Sequence, residues 1–131
     1  MTLNNFYQKF TTKEDCLIYL EKILWNNKPT CPYCNSVKIT KLKQEFRYHC
    51  NNCNTSFSLT VNTMFHKTKI DLQKWFYVLH LILNNEEKRS IRQLAKEINT
   101  TKDTALRVLN KVKKSIIKQD IIIQKFNIYE H

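Results

Sequence analysis

Hydrophobic residues along this chain fall into four main stretches of helical or strand-like period. From about Lys13 to Trp25, the apolar positions Cys16, Leu17, Leu20, Ile23 and Leu24 recur at helical spacing on one face. Thr11 and Glu14 fit the Thr-x-x-Glu capping box that satisfies free amides at a helix start, and Asn26-Asn27-Lys28-Pro29 breaks the helix. Val37 to Leu42 and Phe46 to His49 then read as short strands, and Ser56 to Val61 as a third in which Phe57, Leu59 and Val61 share a face. Asp71 to Leu83 is a helix apolar over more than half its circumference, so it belongs inside the molecule, with Trp75 and Phe76 as core residues. Ser90 caps a short helix to Ile98 that buries Ile91, Leu94, Ala95 and Ile98. After the turn Asn99-Thr100-Thr101, Thr101 caps a second helix, Lys102 to Lys114 or a little beyond, that buries Ala105, Val108, Leu109 and Val112. Ile121 to Ile128 leaves three readings open: the first strand of a further domain, a segment packed on the ribbon, or one paired with another subunit.

The pattern predicts an α+β fold, mostly α: an N-terminal helix and lead-in (1–29), a three-stranded antiparallel ribbon (30–69), a helical helix-turn-helix unit (70–118) and an apolar C-terminal tail (119–131). Cysteine spacing gives the ribbon its chemistry. Cys31-Pro32-Tyr33-Cys34 and Cys50-Asn51-Asn52-Cys53 are two pairs separated by fifteen residues, room for a hairpin that returns the second pair to the first. Four thiolates in a closed tetrahedral shell make one structural zinc site with no open position for substrate. Two disulfides are the alternative and need an oxidising compartment. His49 and His66 are stand-in ligands by residue type, although His49 should point away from Cys50 in an extended strand. Cys16 lies on an apolar helix face and reads as a buried, inert thiol. Glycine is absent from the chain. Asn35 and Asn54 stand after the second cysteine of each pair, and Asn99 stands in the turn between the last two helices. These are places that call for a left-handed residue, and asparagine is a non-glycine residue that tolerates positive φ.

Net charge sharpens the functional reading. The chain has 131 residues and carries +11, with an isoelectric point near 9.5. Between Ser36 and Lys69 the basic residues Lys38, Lys41, Lys43, Arg47, Lys67 and Lys69 meet one acid, Glu45; between Lys88 and Lys118 the only acids are Glu97 and Asp103. Such fields attract polyanions, against the blander reading of solvated lysine faces in a chain biased toward Lys, Asn and Ile. The N-terminus has no secretory pattern and no window reaches the ~18 apolar residues of a membrane span, so a cytoplasmic, nucleoid-associated protein is expected. In a helix-turn-helix unit the second helix enters the DNA major groove with its N-terminal residues at base edges. The candidate DNA contacts are therefore Lys102, Asp103, Thr104, Arg107, Lys111 and Lys114, joined by Arg92 and by Lys41, Lys43, Arg47, Lys67 and Lys69 of the ribbon. Asp103 suits a helix cap or a cytosine contact, Arg107 a guanine or a phosphate, and Lys111, Lys113 and Lys114 the phosphate backbone.

An ordered set of short motifs runs from Phe10 to about Lys114. It comprises Thr12-Lys13-Glu14-Asp15-Cys16-Leu17, the Leu24-Trp25 pair, the Cys-Pro-x-Cys knuckle, Arg47-Tyr48-His49-Cys50, Cys53 with Phe57-Ser58, Thr63-Met64-Phe65-His66, Leu72-Gln73-Lys74-Trp75-Phe76, and the Ser90-to-Arg107 pair of helices. In this it resembles the N-terminal DNA-binding region of zinc-ribbon insertion-sequence transposases, with asparagines where that family keeps glycines. The resemblance implies recognition of duplex DNA at element ends by ribbon and helix-turn-helix together. Such proteins continue into a ribonuclease-H-like nuclease, whose carboxylates hold two metal ions about 3.5–4 Å apart. Downstream of the second helix this sequence offers only Asp120 and Glu130.

The expected function is thus a zinc-dependent, sequence-selective double-stranded DNA-binding protein and not an enzyme, resembling the recognition half of a transposase. A homodimer, or transposition or transcription machinery, would be its protein partner. The alternative is a transcription-regulatory or protein-interaction adaptor that docks through the zinc ribbon.

Overall fold

The computed structural model describes residues 2–26, 28–43, 45–84 and 89–127. It bears out the expected class: a mostly helical α+β fold in which a three-stranded antiparallel sheet interrupts the helices. A first helix, α1 (Leu3–Lys9), was not foreseen, although Leu3, Phe6 and Phe10 carry its spacing; Phe6 and Phe10 are fully buried. Helix α2 (Lys13–Trp25) has the expected bounds, but its capping box is shifted by one residue. The Thr12 hydroxyl accepts the Asp15 amide at 3.1 Å, and the Asp15 carboxylate accepts the Thr12 amide at 3.2 Å. Thr12 and Asp15, not Thr11 and Glu14, therefore satisfy the free amides of this helix start.

Strands β1 (Ile39–Lys41), β2 (Arg47–Cys50) and β3 (Ser56–Ser58) lie side by side in chain order, all antiparallel, with Tyr48 opposite Phe57 and Thr40 opposite His49. The first and third are shorter than their patterns suggested. The Leu59 amide still bonds the Phe46 carbonyl at 3.0 Å, after which turns carry the chain through 59–67. On one face of the sheet Tyr48 stacks on Phe57, ring centres 5.6 Å apart, and Trp25 of α2 meets Tyr48 edge-on at 4.9 Å. This aromatic triad docks the ribbon on the end of α2, and the Tyr48 hydroxyl donates to the Glu21 carboxylate one turn earlier.

Helix α3 (Leu72–Leu83) is buried almost all round, as its composition required. Phe76 is the hub: its ring lies 5.1 Å from Phe10, 5.7 Å from Tyr19, 6.0 Å from Phe65 and 5.4 Å from Phe126. Edge-to-face pairs of this kind add to what area burial alone supplies. Gln73 is buried beside them and donates to the Phe10 carbonyl at 2.8 Å, so its amide is not left unpaired.

Helices α4 (Ile91–Glu97) and α5 (Lys102–Lys118) are joined by a turn in which Asn99 takes φ 52°, the left-handed conformation expected there. Ser90 and Gln93 form a reciprocal box at the start of α4, and the Thr101 hydroxyl accepts the Thr104 amide at the start of α5. Glu97 ties the pair to α3 by accepting the Tyr77 hydroxyl at 2.5 Å and pairing with Arg89. Helix α5 runs one turn beyond Lys114.

The tail departs from expectation. Ile121–Lys125 is a short helix, α6, not a strand. Asp120 caps it through the Ile123 amide at 3.1 Å, Ile122 is buried, and Phe126 packs on Tyr19 and Phe76. The segment thus closes over α2 and α3 and away from the ribbon; Ile128 lies outside the described residues. Among the described residues no helix is long and apolar enough to cross a membrane.

Candidate metal centre and nucleic-acid interface

The two cysteine pairs sit on two copies of one turn. In the first, the Cys31 amide bonds the Ser36 carbonyl at 2.9 Å and the Asn35 amide bonds the Cys31 carbonyl at 3.0 Å. In the second, Cys50 bonds Thr55 at 2.9 Å and Asn54 bonds Cys50 at 2.9 Å, at the same offsets. Both turns close through a left-handed asparagine, Asn35 at φ 61° and Asn54 at φ 59°. Pairing of β1 with β2 places Ile39 opposite Cys50 and brings the turns together.

Four sulfurs result, all within 4.8 Å of one another, with Cys31–Cys53 at 3.7 Å and Cys34–Cys50 at 3.5 Å. A tetrahedron with Zn–S bonds of about 2.3 Å needs sulfurs about 3.8 Å apart. The donor set fits one structural zinc. A disulfide would need sulfurs at about 2.05 Å, and all four cysteines are free thiols. His49 turns outward, its Nδ1 at 3.1 Å from the Ser56 hydroxyl, and takes no part in the cluster.

Backbone amides are aimed at the sulfurs: Tyr33 N–H at Cys31 (3.4 Å) and Cys53 N–H at Cys50 (3.5 Å), with the Asn52 side chain 3.6 Å from Cys34. The Ser36 amide, then Asn52, pulls the Cys34 thiol down to about 6, and Thr55 lowers Cys53. Burial pushes Cys31 up to about 11; a bound divalent ion overrides that by holding its ligand as thiolate. Cys16, by contrast, is sealed in the core with its thiol pushed up to about 12 by burial, the inert role expected of it.

Residues 11–56 match the transposase zinc-ribbon domain family. The matched segment begins just before α2 and ends in β3, so it takes in both knuckles and the helix on which the ribbon docks. The chain is also similar to an uncharacterized protein in transposable element ISH50 of Halobacterium salinarum, 28% identical over 101 residues that cover 75% of this chain and 34% of that protein. The chain thus spans about a third of the length of this relative. No solved structure matches it significantly.

The basic residues fall into two groups. On α5 the side chains of Ala105, Val108, Val112 and Ser115 face the core. The opposite face holds Asp103, Arg107, Asn110 and Lys114, all exposed, and Arg107, Lys111, Lys114 and Lys118 form one stripe at i, i+4, i+7 and i+11. Among the described residues none of these four cations has an acidic partner. Lys102 and Arg92 are exposed as well. Thr104 is half-buried, its hydroxyl taken by Thr101 at 2.9 Å. Lys113 lies on another flank and, with Arg89, lines a recess of about 120 Å³ between α3, α4 and α5.

The second group borders the ribbon. Arg47 and Lys67 line one groove, of about 260 Å³, together with Lys13 of α2; Lys69 and Lys13 line the adjoining one. Lys43 is exposed nearby in sequence, whereas Lys41 is engaged with Glu21 at 3.5 Å. Neither groove includes a residue of α4 or α5. Sequence reasoning passed over Lys13 and Lys118. Helical periodicity from Arg107 points to the second; only the fold, which brings the start of α2 beside the hairpin, reveals the first.

Proposed function

We propose that this chain is a non-catalytic, zinc-stabilised module that binds double-stranded DNA, the recognition half of a transposase-like protein. The observation that carries the reading is the outer face of α5, where Arg107, Lys111, Lys114 and Lys118 stand exposed and, among the described residues, without an acidic partner, on a helix held against α4 by a tight turn. A helix so presented fits the major groove, with its first turns at the base edges and its later lysines at phosphates. The net charge of +11 and the zinc-ribbon match support the same reading. In this scheme the zinc holds shape only, because its four positions are filled by protein sulfur. Arg47, Lys67 and Lys13 beside the ribbon supply a second phosphate contact. Asp120, whose carboxylate caps α6, serves structure and not metal-dependent strand cleavage.

The test is fluorescence anisotropy of a labelled duplex with the zinc-loaded chain across salt concentrations. If six to ten phosphates are neutralised, affinity falls by about 10³–10⁵ between 50 and 200 mM salt. No duplex binding at low salt, or binding indifferent to salt, overturns the proposal.

A further inference from the structure

Leu106 and Asn110 have no evident structural employment. They are neighbours one helical turn apart on α5, beside Arg107 and the basic stripe. Leu106 is 43% exposed although the core-facing side of the same helix is well filled. The Asn110 side chain is exposed and makes no hydrogen bond among the described residues. Asparagine is a mediocre helix former, and a leucine in water stabilises nothing. Around them lie Lys102, Arg107, Lys111 and Lys114, so this apolar-and-amide spot is framed by positive charge. A polyanion drawn to the frame is brought onto the pair between them.

The chemistry of the pair suits one kind of surface. A carboxamide presents a donor and an acceptor together, the complement of adenine N6–H and N7 in the major groove. An exposed aliphatic side chain matches the C5-methyl of thymine, an apolar group on that groove floor. Leucine offers a phosphate nothing; an asparagine N–H can donate to a phosphate oxygen, but only a base edge uses the donor and the acceptor of the carboxamide together. Ile117 is 83% exposed on the same side, but it lies three turns further along the helix, about 16 Å from Leu106 at 1.5 Å per residue, where a docked helix has left the bases.

Resting on the DNA-binding reading above, we infer that Asn110 and Leu106 are specificity-determining residues that select A·T pairs: Asn110 pairs with adenine through N6 and N7, and Leu106 packs on the methyl of a thymine one or two pairs away. The ligand class is thus a duplex whose recognition site contains an A·T step. Arg107 and the lysines set affinity, and this pair sets sequence.

The experiment is selection from a pool of duplexes randomised at the centre, using the zinc-loaded full chain, followed by measurements on the best duplex. An enriched site containing invariant A·T positions is expected. Asn110→Ala should then erase the adenine preference at one position, a loss of about 5- to 150-fold in discrimination, while binding to random duplex and its salt dependence stay unchanged. Replacing the contacted thymine by deoxyuridine, which removes only the methyl, should weaken the native chain and leave Leu106→Ala unaffected. Salt-dependent binding with no A·T enrichment, or an Asn110→Ala chain with the native preference, overturns this inference and leaves duplex binding standing. Failure of the native chain to bind any duplex overturns both. Both residues are exposed, so circular dichroism and zinc content should show the variants folded.

Discussion

The hydroxyl of Tyr48, in the middle strand of the ribbon, donates to the carboxylate of Glu21 in α2. This bond, with the Trp25 contact beside it, joins the zinc-bearing sheet to the helical body. Tyr48→Phe keeps the ring stack and removes only the bond. It should cost about 1.5 kcal/mol in denaturant unfolding, since the acceptor is charged but partly wet, and zinc content should stay at one per chain.

Metal removal should act more broadly. Structural zinc contributes its binding energy to folding, and here the sulfurs anchor both ends of the hairpin in the sheet whose Tyr48 and Phe57 rings pack on Trp25. Chelation, or Cys50→Ser, should unfold residues 31–58 and lower the melting temperature of the whole. Acid should do the same, because protons compete with the metal for thiolate. Mass spectrometry under native conditions, with a melt of the metal-free chain, checks this; an unchanged cooperative melt without metal would contradict it.

Alkaline stability has its own source. Burial, then the Asp71 carboxylate, raises Tyr7 from 10.0 to about 12; burial raises Cys16 from 9.0 to about 12 and also raises Tyr48. In each group the folded pKa lies above the unfolded one, so the neutral form is favoured in the fold. Their contribution is complete below about pH 9 and is lost as pH climbs toward 12. Melting temperature should decline over that window, and Cys16→Ala, though less stable throughout, should decline less steeply between pH 9 and 10.

Lys111→Ala with Lys114→Ala should weaken binding to every duplex alike. The slope of log affinity against log salt should drop by about 0.9 for each phosphate that is no longer neutralised. Isotherms at three salt concentrations decide it, and a sequence-dependent weakening would place these lysines at bases instead.

Asn99 sits at φ 52° between α4 and α5. Asn99→Val puts a branched side chain into the left-handed region and should cost about 1–2 kcal/mol. Asn99→Gly should lie close to neutral, since relief in the fold is offset by a freer unfolded chain. Urea midpoints of the two variants against the native chain measure this.

Most of the ribbon is legible in the sequence because its constraints are local. Two cysteines at fixed spacing, followed by Asn35 or Asn54, specify a knuckle within six residues, and the alternation in Arg47-Tyr48-His49 specifies the strand between. The helix bounds at Lys13–Trp25 follow from the same kind of signal. What escapes is decided at long range. Ile121, Ile122 and Ile123 are β-branched and favour a strand by themselves; they form a helix because Asp120 caps it, Ile122 is buried, and Phe126 four residues on packs on Tyr19 and Phe76. The groove joining Lys13 to Arg47 and Lys67 needs a packing of helix on hairpin that no local pattern encodes. On α5 the charged and hydroxyl residues announce themselves by type, whereas Leu106 and Asn110 do not, because their interest lies in being exposed.

Eight left-handed backbone positions among the described residues are filled without a glycine: five asparagines, together with Phe46, Lys67 and Gln119. In the folded molecule this is a local burden, slight at the asparagines and heavier at Phe46, whose bulk belongs elsewhere in φ/ψ space. In the unfolded chain it works the other way. A backbone with a Cβ at every residue explores fewer conformations, so folding surrenders less entropy. Part of this small module's stability therefore resides in no contact at all, but in how little its disordered state has to lose.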